Sequence, residues 1–204
     1  MAGYTLKIDN ICKSFDKKPV IKNFVARFDA SKKYGICGKN GCGKTTLLKM
    51  IAGLIRQDSG VITYSHEGLE HNACYIDNNP RSFFMRLNGL DNLHFFGALN
   101  GLSKIQTNEF IENNFKIFNL NNFILKPLNT LSLGQSQLLN IARSYLMKPQ
   151  IVLYDEVFSS LDEDNKKLFI DFINSYHSRT KSIHIFTSHD SQLINRITDE
   201  VLML

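Results

Sequence analysis

The chain has 204 residues, 43% of them hydrophobic and 21% charged, and 24 Lys and Arg against 19 Asp and Glu give a formal net charge of +5. This composition excludes a disordered or collagen-like chain and fits one compact domain with room for a small inserted subdomain. No run reaches the roughly 18 to 20 apolar residues of a membrane span, and the opening MAGYTLKIDN lacks a signal-peptide core, so a cytoplasmic chain is expected.

In chain order, apolar and polar residues alternate from Tyr4 to Ile8 and again from Phe24 to Phe28, with DKKP between them. Antiparallel strands around a turn are predicted there. YGIC, Tyr34 to Cys37, is a short apolar strand running into a glycine-rich loop. Leu47, Leu48, Ile51 and Leu54 follow at helical spacing, with Gly53 near the end, so strand, loop and helix succeed one another. DSGVITY reads as a turn into a further strand.

From about Ser82 to Thr130 the pattern becomes helical and rich in Phe, Leu and Asn, which predicts an inserted helical subdomain. Ser103 and Gln106 have the spacing of a capping box. The alternating plan then resumes with a helix from about Leu133 to Met147 stopped by Pro149, the strand IVLYD, a helix around Asn165 to Tyr176 and the strand SIHIFTS. The fold class expected is α/β: a core with a mostly parallel sheet, an N-terminal antiparallel β subdomain and an inserted α-helical subdomain. Residues 1–81 and 149–204 are assigned to the core and 82–148 to the helical insertion.

The four cysteines, Cys12, Cys37, Cys42 and Cys74, have neither CxxC nor zinc spacing and read as isolated reduced thiols. The basic balance suits nucleic acid, anionic lipid or a polyphosphate ligand and selects none of them. Because the lysines are scattered without aromatic interleaving, a nucleic-acid partner is not expected.

GKNGCGKT, Gly38 to Thr45, fits the phosphate-loop pattern in the strand-loop-helix context which that pattern needs, and so makes the core a P-loop NTPase. Gly38, Gly41 and Gly43 let the backbone turn tightly, so that the N–H groups of Lys39, Asn40, Cys42 and their neighbours through Thr46 face phosphate oxygens. Lys44 supplies a point charge and Thr45 a hydroxyl for Mg²⁺. A nucleotide so held needs a metal carboxylate. Asp155, at the C-terminal end of the strand IVLYD, is placed where ligands of parallel sheets gather, and Glu156 follows it, positioned to polarise an attacking water. LSLGQSQLLNIARSYLMKP carries a second capping-box spacing, Ser132 to Gln135, and an apolar stripe that a plain amphipathic helix explains.

The order phosphate loop, helical insertion, LSLGQ, IVLYDE, SSLD, TSHD resembles that of ATP-binding cassette ATPases over nearly the whole chain. The resemblance implies ATP and Mg²⁺ as ligands and two cassettes that sandwich two ATPs head to tail. In that arrangement Ser132, Gly134 and Gln135 contact the ATP bound to the opposite subunit, the signature's serine and glycines reaching its γ-phosphate. Asp162 belongs to the loop joining the two sites, with helix capping as its local reading, and His189 acts on the γ-phosphate. Phe15 matches the aromatic that stacks on adenine, its other reading being a core aromatic.

Three positions depart from the family pattern. Leu133 stands for the first signature glycine, and Val157 stands for the proline after the glutamate. CYIDNNPRSFF has no loop glutamine, leaving Asn78 as the aligned amide near the metal and Asn79 beside it.

The resemblance further implies that this chain is the ATPase subunit of a transporter, acting at the cytoplasmic face of a membrane. Its expected partners are an integral membrane permease and a second cassette, alike or different. The segment RSFFMRLNGLDNLHFFGAL looks more like exporters than importers. Phe83, Phe84 and Met85 within it serve either a partner helix or the subdomain's own core. Soluble nucleic-acid or ribosome ATPases of this family, and non-hydrolysing regulatory modules, are the alternative classes.

Overall fold

A computed structural model of the chain describes residues 4–66, 72–78 and 83–204. The boundary drawn near Ser82 lies outside them. The first hairpin extends well past the alternating residues. β1 (Thr5–Phe15) and β2 (Lys18–Asp29) pair antiparallel through a turn in which Asp16 and Lys17 have φ of 48° and 63°. Two successive left-handed residues give the turn whose twist matches that of the strands. Register shifts fall between Ile8 and Ile11, where Asn10 of β1 has φ 48°, and between Ile11 and Lys13, where Asn23 of β2 has φ 46°. Each bulge exchanges the inward and outward faces, so the strand signal in the sequence stops at Ile8 and restarts at Phe24.

The chain continues through β3 (Lys33–Cys37) and α1 (Lys44–Ile51). Helix α1 stops at Ala52, with Gly53 left-handed at φ 70° just beyond, a conformation that glycine takes without steric cost. β4 (Ser59–Tyr64) pairs with the other side of β1 and completes a three-stranded sheet of order β2-β1-β4. A second sheet has the order β5-β6-β7-β3-β8, in which β5 is Ala73–Asp77, β6 Ile151–Asp155, β7 Ile183–Thr187 and β8 Glu200–Met203. The pairings β6 with β7, β7 with β3 and β3 with β8 are parallel. All residues of β6 and β7 are buried, as in a sheet covered on both faces, and their sequences are accordingly mostly apolar.

The chain groups into two compact units, one of Met1–Tyr75, Gln150–Glu156 and Ser175–Leu204, the other of Ile76–Pro149 and Val157–Asn174. In a core cluster of the first unit, Leu6, Ile8, Phe28, Ile36, Leu47, Leu48, Ile151, Leu153, Ile183 and Ile185 come together from both sheets and α1. Each such side chain contributes about 1.5–3 kcal/mol by leaving water.

The second unit contains α2 (Gly89–Leu99), α3 (Lys104–Phe115), α4 (Leu133–Tyr145) and the larger part of α5 (Glu163–Thr180). Both capping boxes anticipated from the sequence form, Ser103 with Gln106 and Ser132 with Gln135. Phe115, Phe118, Tyr145, Phe169 and Phe172 make its aromatic core. Phe83 is buried against Phe96 and the Arg143 guanidinium, whereas Phe84 and Met85 are 47% and 49% exposed. The first is therefore core and the other two are surface. The short helix α6 (Ser191–Ile197), capped by Asp190, belongs to the first unit. No helix among the described residues is long and apolar enough to cross a membrane.

Candidate active site

The loop between β3 and α1 owes its path to Gly43. This residue caps α1 at φ 107°, and a β-carbon there would lie 2.9 Å from Val20 Cγ1 and 3.0 Å from Ile21 Cγ1. Glycine is thus required twice over, for handedness and for space. The helix then opens at Lys44, so the N–H groups of its first turn, Lys44, Thr45 and Thr46 among them, have no carbonyl partner within the helix and suit an anion. Lys44 is 7% exposed, and its Nζ donates to the carbonyls of Gly38 at 2.9 Å and Lys39 at 3.3 Å, which fixes the ammonium across the loop. Cys42 donates its N–H to the Lys39 carbonyl, and its Sγ lies against Gly38, where a β-carbon would meet it at 2.6 Å.

Asp155 ends β6, is 7% exposed, and has its carboxylate bound by three hydroxyls. Thr45 Oγ1 and Thr187 Oγ1 donate to Oδ1 at 3.1 and 2.9 Å, and Tyr75 OH donates to Oδ2 at 2.6 Å. The parallel register of β6 and β7 pairs Asp155 with Thr187 and so brings the segments that follow the two strands together.

Glu156 then takes φ 56°, a left-handed conformation that costs a residue other than glycine about 1–2 kcal/mol. Its carboxylate receives the His189 N–H on Oε2 at 3.2 Å, and His189 Nε2 lies 3.2 Å from Oε1. The His189 side chain is 62% exposed, so the pair adds under about 1 kcal/mol to stability, and its value lies in placement.

These groups line one cleft of about 440 Å³ within the first unit, formed by Val20, Asn40, Gly41, Gly43, Lys44, Thr45, Thr46, Glu156 and His189. Its size is that of a small-molecule site. Helix N–H groups and Lys44 supply the positive end that a phosphate chain needs. The oxygen donors Thr45 and Asp155 fit Mg²⁺, which takes few protein ligands and completes its shell with water and phosphate.

Gly38, Lys39, Cys42 and Asp155 are not among the lining residues; they shape the loop and the hydroxyl network. Phe15 does not line the cleft either. Its ring ends β1 at 45% exposure, with Lys13 Nζ 5.4 Å from its centroid, so the core alternative for this aromatic does not hold.

The remaining candidates belong to the second unit. Ser132 Oγ accepts the Gln135 N–H at 3.2 Å, and Gln135 Oε1 accepts the Ser132 N–H at 3.1 Å, which orders the turn that opens α4. Leu133 is 61% exposed, and a β-carbon on Gly134 would stand 3.2 Å from the Ser160 carbonyl. Asp162 caps α5 through the N–H and the amide of Asn165 at 2.8 and 3.0 Å, in keeping with its capping reading. Asn78 Nδ2 donates to Ser159 Oγ at 3.1 Å. Asn79 lies outside the described residues. Val157 is fully buried at the start of a short 3-10 turn.

Sequence reasoning missed Val20, Tyr75 and Thr187. Thr187 stands in TSHD, two positions before His189, and that spacing was a usable signal. Val20 and Tyr75 reach the site only through tertiary pairing, so no local pattern marks them.

A strand, glycine loop and helix, with a buried carboxylate ending the neighbouring strand and a glutamate beyond it, define a phosphate-loop nucleotide hydrolase. Residues 21–159 match the family described as ABC transporter. The chain is 31% identical over 204 residues to a spermidine/putrescine import ATP-binding protein, PotA, of Fusobacterium nucleatum subsp. nucleatum, covering 98% of this chain and 54% of that one. It is 30% identical over 199 residues to the ABC transporter ATP-binding protein NatA of Bacillus subtilis, covering 93% and 80% respectively.

The fold is that of cbiO1 from Clostridium perfringens, described as part of the transporter complex cbiONQ, with a TM-score of 0.82 at 21% identity over 98% of this chain and 84% of that one. A second solved structure, an ATP-binding subunit of an ABC transporter, superposes with a TM-score of 0.86 at 20% identity, covering 98% and 85%. The chain belongs to the ABC transporter family and is an ATP-binding ATPase domain of it. It spans only about half the length of the polyamine relative.

Proposed function

We propose that this chain powers a transporter by binding MgATP in the cleft above α1 and hydrolysing it with Glu156 and His189. The observation that carries the reading is that one cleft holds the phosphate loop, Glu156 and His189 together. Lys44 and the first-turn N–H groups hold the phosphates, and Thr45, with Asp155 behind it, holds the metal, which when bound offsets the charge of the β- and γ-phosphates. Glu156 faces the terminal phosphate with its carboxylate fixed by His189, in position to orient a water for in-line attack. Asn78 is proposed as the nearby amide that takes the place of the family's loop glutamine, with a water able to cover the missing methylene.

Two such chains, identical or not, are proposed to face each other head to tail. Ser132, Gly134 and Gln135 of one chain would then complete the ATP site of the other, beside the loop that contains Asp162. A separate integral membrane permease is the proposed partner, placing this chain at the cytoplasmic face of the membrane. Exposed Phe84 and Met85 are the proposed contacts for it. The helical segment favoured export, whereas the name of the polyamine relative concerns import, so direction is an outcome of the transport assay. Affinity purification of the tagged chain from solubilised membranes is expected to recover an integral membrane protein. Recovery of the chain exclusively from ribosome or nucleic-acid fractions would contradict the transporter reading.

A further inference from the structure

Asp155 is held by more than the phosphate loop. Its Oδ1 takes the hydroxyls of Thr45 and Thr187, and among the described residues the hydrogen bond found on Oδ2 comes from Tyr75, two residues before the end of β5. At 2.6 Å this is the short O–H···O⁻ contact of a charge-assisted bond, roughly twice as strong as a neutral one. Lys49 of α1 lies with its Nζ 5.8 Å from the ring centroid, on the same helix that carries Thr45. Ring and hydroxyl therefore tie three elements of the site together: β5, β6 and α1.

We propose that Tyr75 is a positioning residue for the metal: by fixing Oδ2 it holds the Asp155 carboxylate in the plane that presents it, with Thr45, to Mg²⁺. The proposal rests on the reading of Asp155 as the metal carboxylate. Removing the hydroxyl frees one oxygen of a buried carboxylate, which then turns or recruits another donor at the expense of the cation. Outer hydrogen bonds of this kind change metal affinity by about 10- to 100-fold when lost.

The test is nucleotide binding, measured with a fluorescent non-hydrolysable ATP analogue in EDTA and again with Mn²⁺. The quantity read is the factor by which Mn²⁺ strengthens binding. Tyr75→Phe keeps the ring, and its fold is checked by circular dichroism and thermal midpoint. It is expected to lower that factor about tenfold while leaving affinity in EDTA unchanged. Asp155→Asn is expected to lose most of the factor. If Tyr75→Phe keeps the wild-type factor while Asp155→Asn loses it, the role of Tyr75 is overturned and Asp155 stands. If both keep it, the reading of Asp155 itself fails. An equal loss with and without Mn²⁺ in Tyr75→Phe would assign the hydroxyl to structure and also overturn the proposal.

Discussion

His189 donates its backbone N–H to Glu156 Oε2 at 3.2 Å, and its ring Nε2 lies 3.2 Å from Oε1 without forming a hydrogen bond to it. The parallel pairing of β6 with β7 makes this possible, because Asp155 and Thr187 are partners and the two residues continue from their ends. The contact orients the proposed catalytic carboxylate, which sits in a left-handed backbone conformation.

Removing the imidazole leaves the backbone N–H bond to Glu156 in place and takes away the ring nitrogen beside Oε1. His189→Ala is therefore expected to lower kcat by about 10²-fold with ATP affinity within a few-fold of wild type. Steady-state ATPase kinetics together with direct nucleotide binding measure both. Unchanged kcat would remove His189 from the chemistry.

Phe15 shows its ring to solvent beside Lys13, outside the lining of the phosphate cleft. If the adenine stacks on it, Phe15→Ala forfeits about 1–3 kcal/mol of base stacking, a roughly 5- to 150-fold weaker ATP affinity, whereas Phe15→Tyr retains it. Inorganic triphosphate, which has no base, serves as the control ligand and should bind both variants alike.

Much of this architecture was legible in local sequence. The phosphate loop, β6, β7 and both capping boxes rest on interactions within a few residues or on mostly apolar runs, and they appear where the pattern puts them. Other features depend on distant partners. The bulges at Asn10 and Asn23 conceal most of β1 and β2, because an extra residue in one strand inverts the alternation from which a strand is recognised. The hydroxyl of Tyr75 and the methyl groups of Val20 reach the site only once the sheets have assembled, and nothing in their neighbours announces them. Asp162 illustrates a third case, since a cap and a site loop ask for the same residue type at the same place.

A buried histidine predicts the response to acid. His184 is fully buried between the Tyr154 hydroxyl on Nδ1 and the Ser182 hydroxyl on Nε2, each at 2.8 Å, and burial holds it well below its ordinary value of 6.5. Burial also lowers the neighbouring His177. Below pH 6.5 the unfolded chain binds protons that the folded one does not, so stability is fully present above that pH and falls as the pH drops through it. Stability near pH 5.5 is therefore expected to be lower than at neutral pH. Urea titrations at the two pH values are expected to show it. In His184→Asn the same interval should change stability less, and an equal change would refute the assignment.

Within the second unit, the Asp77 carbonyl accepts two amides of α4, Gln137 Nε2 at 3.0 Å and Asn140 Nδ2 at 3.2 Å. The two are not equivalent. Gln137 is fully buried, and its Oε1 has no donor among the described residues, so Gln137→Met trades one hydrogen bond for relief of an unmatched acceptor. A change within about 1 kcal/mol is expected. Asn140 also accepts from Arg143 at 2.6 Å, and Asn140→Leu should cost about 2–3 kcal/mol by removing the oxygen that receives a charged donor. Denaturant unfolding of the two variants decides, and a costlier Gln137→Met would contradict the ranking.

The central claim is that Glu156 acts on ATP at a site completed by a second chain. Glu156→Gln keeps the size and loses the charge, so its ATP affinity should match wild type while kcat falls by about 10²-fold or more. Size-exclusion chromatography with light scattering, run with and without MgATP, reads the consequence directly. Glu156→Gln is expected to elute as a dimer in MgATP and a monomer without it; a variant that stays monomeric in saturating MgATP, or that hydrolyses ATP at the wild-type rate, would show that Glu156 has no such role.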